Sequence, residues 1–214
     1  MTTPSFQNPL HVPLHPSKQS SYSTLLSPRH VVPPSAPPQR ALFPRKKIVP
    51  QHLHTATSKW KAAMSQGRKL APITFDYVGY TGQGIPMCEI ASRASYGIEQ
   101  LLDRPLDTVG STISLGLHQH VTLKIFWPGY PQLDWTRQIN LTNTSGKPIT
   151  RAQLASAVSL QFARFFEKAQ FEQAKDAQWR IGVTGITFDS MILLSLTQAC
   201  DNVWVAEVAT GTRA

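Results

Sequence analysis

The stretch Thr150–Gln170, T-R-A-Q-L-A-S-A-V-S-L-Q-F-A-R-F-F-E-K-A-Q, decides how the fold is read. Leu154, Val158, Phe162, Phe165 and Ala169 recur at helical spacing, and Phe166 widens the stripe they form. Arg164 and Lys168 belong to the wet side. Thr150 followed by Gln153 makes a capping box, in which a hydroxyl and an amide satisfy backbone donors that a first helical turn leaves open. A helix with one apolar stripe has to bury it against a second layer, so the flanking segments are read as that layer.

Upstream, residues 120–127 alternate. Val121, Leu123, Ile125 and Trp127 share one face, with Thr122 and Lys124 on the other. Pro128-Gly129-Tyr130-Pro131 turns the chain, and residues 133–141 return with Leu133, Trp135, Ile139 and Leu141 inward, interrupted by Arg137. Downstream, Met191 to Thr197 is an apolar run without a decisive period. A strand is preferred there because Val203 to Ala209 is rich in β-formers and Asp201-Asn202 supplies a turn. Further upstream, residues 73–80 read as a short strand, Gly79, Gly82 and Gly84 as a turn, and Pro86 as the first residue of a helix over 87–102. The expectation is an α+β domain over residues 73–214. It has a small antiparallel four-stranded sheet made of two hairpins, a long helix between them packed on one face, and one preceding helix.

The N-terminal part has a different chemistry. Of 214 residues, the first 75 carry ten cations and no acid; the remainder holds eleven cations against all twelve acids, a net of −1. Eleven of the seventeen prolines lie at or before Pro50, and proline at that density stops both helices and ladders from propagating. Residues 1–72 are therefore expected to be a disordered, basic, proline-rich arm, with a short helix over 58–66 that forms on docking. The longest apolar runs are far too short to span a bilayer, so no membrane association is expected. Two cysteines cannot build a disulfide scaffold, which points to the cytoplasm or nucleus. Organellar import suits the chain less well, because prolines at 4, 9, 13 and 16 forbid an amphipathic leader helix.

Three groups of segments carry a resemblance: Phe126-Trp127-Pro128-Gly129-Tyr130, Pro148-Ile149-Thr150-Arg151-Ala152 with Phe162-Ala163-Arg164-Phe165, and Asn202-Val203-Trp204. Together they resemble a protein family of mushroom-forming (basidiomycete) fungi to which no activity is assigned. The resemblance covers roughly residues 81–208 and leaves out most of the basic head. It implies a common domain, and it carries over no chemistry and no functional residue.

Candidate sites are few. The Gly79–Gly84 turn lacks the third glycine and the βαβ setting of a dinucleotide cradle, and no G-K-[ST] follows it. His52 with His54 and His118 with His120 pair imidazoles, but neither pair has a third ligand nearby. Cys88 and Cys200 lie in no nucleophile motif, and Asp134, Asp189 and Glu207 are not paired at the level of sequence. No catalytic residue, cofactor or metal is assigned, and the chain leans away from being an enzyme.

Trp127, Tyr130 and Trp135 flank the stiff 128–131 turn. Tyr130 held outward would make a partner-binding surface, the competing view being that the rings are core. Arg137 would guard a sheet edge. Arg40, Arg45, Lys46, Lys47, Lys59, Lys61, Arg68 and Lys69 are candidates for holding a polyanion through counterion release. The first functional expectation is a non-enzymatic interaction or adaptor protein engaging a protein partner. The alternatives are a sequence-nonspecific nucleic-acid-associated protein binding through residues 1–75, and an enzyme whose site only the fold assembles.

Overall fold

The computed structural model describes residues 41–50, 70–93, 95–109, 119–200 and 202–211. Of the expected arm over 1–72, residues 1–40 and 51–69 lie outside the described residues, and with them the helix over 58–66 and the candidate cations Arg40, Lys59, Lys61, Arg68 and Lys69; so do His52, His54, His118 and the Cys200 side chain.

The central helix, α3 (Arg151–Ala169), forms as its sequence dictates, with both halves of the Thr150–Gln153 capping box made. Its first turn leaves no backbone donor open. The Arg151 and Ala152 amides donate to the carbonyls of Asp107 and Pro105, Gln153 N to Thr150 Oγ1, and Leu154 N to the Thr150 carbonyl. Leu154, Val158, Phe162, Phe165, Phe166 and Ala169 are all buried. Arg151 then ties this helix to the sheet, donating to the Thr74 carbonyl at 2.6 Å and pairing with Asp107 at 3.3 Å.

The sheet differs from expectation. Among the described residues it has seven strands and is mixed, not a four-stranded antiparallel sheet. Two antiparallel ladders do form: β4 (His120–Ile125) with β5 (Trp135–Asn140), and β6 (Met191–Cys200) with β7 (Val203–Thr210). They join through a parallel pairing of β4 with β7, registered Thr122 to Val203, Leu123 to Trp204 and Lys124 to Val205. Alternation along a strand reveals which residues share a face; it does not reveal which edges meet.

The additional strands are two residues each, too short to show a period. β2 (Ile73–Thr74) pairs with β6 at Leu196 and Ser195, and β3 (Ile85–Pro86) pairs with the same edge at Leu193 and Ile192. The strand expected over 73–80 thus stops at Thr74. Phe75 still donates to the Leu194 carbonyl, and buried Asp76 then turns to accept from Gly84 N at 3.1 Å. The single helix expected over 87–102 is two pieces, α1 (Met87–Ser92) and α2 (Ser95–Glu99), with Arg93 extended between them. Ser92, Ser95 and Gly97 are weak helix formers, and the apolar stripe (Ile90, Ile98, Leu102) is buried without needing a continuous helix. Both pieces pack on α3.

The last addition is β1 (Lys47–Ile48), antiparallel to β7 at Thr210 and Ala209. Phe43 and Val49 on either side of it are buried, and Val49 N donates to the Val208 carbonyl. Residues 41–50, which composition assigns to the arm, are packed on the body here. Arg45, Lys46 and Lys47 obscured two apolar residues placed to bury on the sheet.

β2 and β3 lie end to end on one edge of β6, and the loop joining them closes at Gly84. Its φ is +77°, and a Cβ there would stand 2.7 Å from the Leu193 carbonyl oxygen and 2.6 Å from Leu194 Cδ2. Gly84→Ala is expected to destabilise the body by about 2–4 kcal/mol, combining left-handed strain with overpacking. Urea denaturation of the variant against the parent measures this.

Candidate functional site

The turn between β4 and β5 is built by its aromatic residues and held from behind. Tyr130 N donates to the Trp127 carbonyl and Leu133 N to the Tyr130 carbonyl, giving two overlapping turns. Gly129 takes φ +89°, and its carbonyl accepts from Lys175 N at 2.7 Å; a Cβ on it would approach the Asp176 carbonyl oxygen at 3.1 Å. Trp127 Nε1 donates to the Trp179 carbonyl at 2.8 Å, and the Ile181 amide donates to the Tyr130 hydroxyl at 3.0 Å. The segment 175–181 is thereby fastened along the back of the turn.

Tyr130 is 1% exposed, Trp127 4% and Trp135 7%, so none of the three rings projects from the surface. Prolines stiffen the turn as the sequence implies. Its direction, however, is set by Gly129 and by the buried amide that the Tyr130 hydroxyl meets. The rings join an edge-to-face cluster: Trp127 lies 5.1 Å from Phe166 and 6.4 Å from Trp179, and Trp135 lies 5.8 Å from Phe165. Arg137 stacks over Trp135 at 4.4 Å on β5, the outermost strand of the sheet order, where a charge opposes stray pairing.

What faces outward instead is a cleft of about 470 Å³ on the turn. It is lined by buried Ile125, Trp127 and Tyr130 and by half-buried Phe126, Leu133 and Pro50. Four charges surround it: Lys124, Asp134, Lys175 and Asp176. Three of these are engaged. Lys124 pairs with Asp134 at 3.2 Å and lies 5.2 Å from the Phe126 ring centre. Thr136 Oγ1 donates to Asp134 Oδ1 at 2.9 Å, and Asp176 accepts from Gln178 N to cap a short 3-10 turn. No ion pair among the described residues includes Lys175. The Thr136 hydroxyl, followed by Lys124, holds the Asp134 carboxyl below its ordinary range, so it is ionised at neutral pH.

The other sequence candidates lie apart from the cleft lining. Cys88 Sγ contacts the Asp189 carbonyl at 3.6 Å, and burial with the nearby Asp189 charge pushes its thiol up, away from the nucleophilic thiolate. Glu207 is taken up by the Ser195 hydroxyl at 3.0 Å. His120 opens β4, and among the described residues no group of three or more His, Cys, Asp or Glu could hold a metal. Of the basic candidates, Arg45 is exposed, Lys46 Nζ donates to the Gly82 carbonyl, and Lys47 Nζ lies 4.5 Å over the Trp179 ring. No helix among the described residues is long and apolar enough to cross a membrane. Sequence reasoning missed the cleft because its walls come from residues near 50, 124–134 and 175. The one available signal was the alternation that puts Lys124 and Phe126 on the face opposite the core.

No protein-family model, curated protein or solved structure matches the chain.

Two outcomes are expected. Tyr130→Phe strands the Ile181 amide and should cost about 1–3 kcal/mol, read from denaturation midpoints. Because the Asp134 carboxyl titrates lower folded than unfolded, its stabilising contribution is complete above about pH 4 and is lost as pH falls through the lowered value. The stability gap between the parent and Asp134→Asn should therefore be small at pH 7 and shrink as pH falls through the lowered value, and Thr136→Val should raise the carboxyl's NMR titration midpoint.

Proposed function

We propose that the chain is a non-enzymatic interaction protein that seats a segment of a protein partner in the cleft, with the basic N-terminal region adding a second, electrostatic contact. One observation carries this: the cleft joins apolar, proline-stiffened walls to four charges of which three already have partners, and among the described residues neither histidine nor cysteine lines it. Acid–base and nucleophilic chemistry need a group whose protonation is poised near the working pH. Asp134 is held ionised, and Cys88, the thiol pushed up by burial, lies outside the lining. Preformed apolar clefts with few polar groups favour binding, because a ligand gains burial there without the cost of ordering the site. Such a partner would be met in the cytoplasm or nucleus.

A benzophenone side chain placed at exposed Lys175 of the full chain is expected to give covalent protein adducts in the source cells. The same group at Tyr96, exposed on α2, is the control. Identical adduct patterns from the two positions would refute the cleft as the contact surface.

A further inference from the structure

The segment that contributes Lys175 and Asp176 to the cleft goes on to build a projection. Past Trp179 and Arg180 it enters residues 181–188, I-G-V-T-G-I-T-F, which carry no charge. Three backbone bonds close them into a tight loop: Gly182 N donates to the Ile186 carbonyl at 3.1 Å, Gly185 N to the Gly182 carbonyl at 2.9 Å, and Ile186 N to the Arg180 carbonyl at 2.8 Å. Trp179 and Ile181 at its root are buried, and the Ile181 amide is the one that meets the Tyr130 hydroxyl. At the tip Val183 is 99% exposed, further out than any other large apolar side chain among the described residues. Val183 stands two residues, at most about 7 Å of chain, beyond an amide bonded to a residue of the cleft lining. A lone exposed valine is ordinary. An apolar knob on a stiff mount, next to an apolar hollow, is half of a self-complementary contact together with its other half.

We infer that two copies of the chain pair by exchanging these parts, the Val183–Thr184 tip of each copy seated in the cleft of the other against Phe126 and Leu133. This rests on the cleft being a partner site, and it names the partner as a second copy. The charges suit a neutral occupant. The lining carries two lysines and two aspartates, and Lys124 already meets Asp134 at 3.2 Å, so neither an acidic nor a basic segment gains there, whereas residues 181–188 bring no charge to desolvate. The mount suits the task as well. Bonds that hold the loop before contact leave Val183 and Thr184 little freedom to lose on seating. Knob and hollow share the segment 175–186, so both contacts form about one twofold axis and the assembly closes at two copies. Each copy then fills the other's cleft with a side chain that it leaves in water when alone.

Sedimentation velocity of the full chain over about 1–300 µM is expected to show a reversible monomer–dimer equilibrium, weak as two small contacts dictate. Val183→Asp, at a position where the side chain packs on nothing, and Phe126→Ala, in the cleft wall, should each weaken dimerisation at least about tenfold. The two variants, differently labelled and mixed, should pair with each other more tightly than either pairs with itself, because the mixed pair keeps one intact tip in one intact cleft. A chain that stays monomeric throughout, a dimer indifferent to both substitutions, or mixed variants that pair no better than each alone would overturn the inference. The cleft as a partner site fails separately. A monomeric chain whose benzophenone at Lys175 still captures another protein loses the second copy as partner and keeps the cleft, whereas identical adducts from Lys175 and Tyr96 remove the cleft itself.

Discussion

Thr122 with Val203, Leu123 with Trp204 and Lys124 with Val205 are the pairs through which two antiparallel ladders become one sheet. Remove that register and β4–β5 and β6–β7 are separate hairpins, each too small to bury α3. With it, Leu123 and Trp204 fall side by side beneath the helix, both essentially inaccessible. Lys124, one residue on, is directed to the opposite face, where Asp134 and the Phe126 ring receive it. The same three pairs therefore fix the core and one charged wall of the cleft. β7 bears most of this arrangement, because β6 takes one of its edges while β4 and β1 share the other.

What the sequence disclosed is what local periodicity can encode. The Thr150–Gln153 box and the five-residue stripe of α3 repeat every three or four positions, and Val121, Leu123 and Ile125 every two; each is buried as that spacing requires. β1 and β3 were illegible, and the strand over 73–80 was read too long, for the converse reason. Two residues have no period, and their place comes from β6 and β7 more than a hundred positions away. The helix over 87–102 was overread because an apolar stripe says where residues point, whereas Ser92, Ser95 and Gly97 determine whether the backbone stays continuous.

The cleft shows a similar division. The sequence drew notice to the 128–131 turn and assigned importance to Trp127, Tyr130 and Trp135, which do organise that end of the body. Their polar atoms explain how: an indole N–H and a phenol oxygen buried in a core each need a partner, and the segment 179–181 supplies both. Those partners lie about fifty residues downstream, so although alternation put Trp127 and Trp135 inward, nothing local announced that Tyr130 would turn in as well, or that Leu133, expected inward, would stand half-buried with Phe126 in the cleft wall. The cations around Trp179 were equally hidden, because Lys47 reaches that ring only through the pairing of β1 with the last strand.

That pairing also imposes an order in time. Lys47 and Ile48 find their partners at Thr210 and Ala209, the longest separation along the chain of any strand contact described. During synthesis the basic triplet emerges early and waits while more than 160 further residues are added. It can be fastened to the sheet only after β7 has been made. Contacts this distant carry the largest loop-closure cost and are rewarded last. The first of the described strands thus depends on residues made more than 160 positions later, and the wall of the cleft containing Pro50 cannot be complete before they exist.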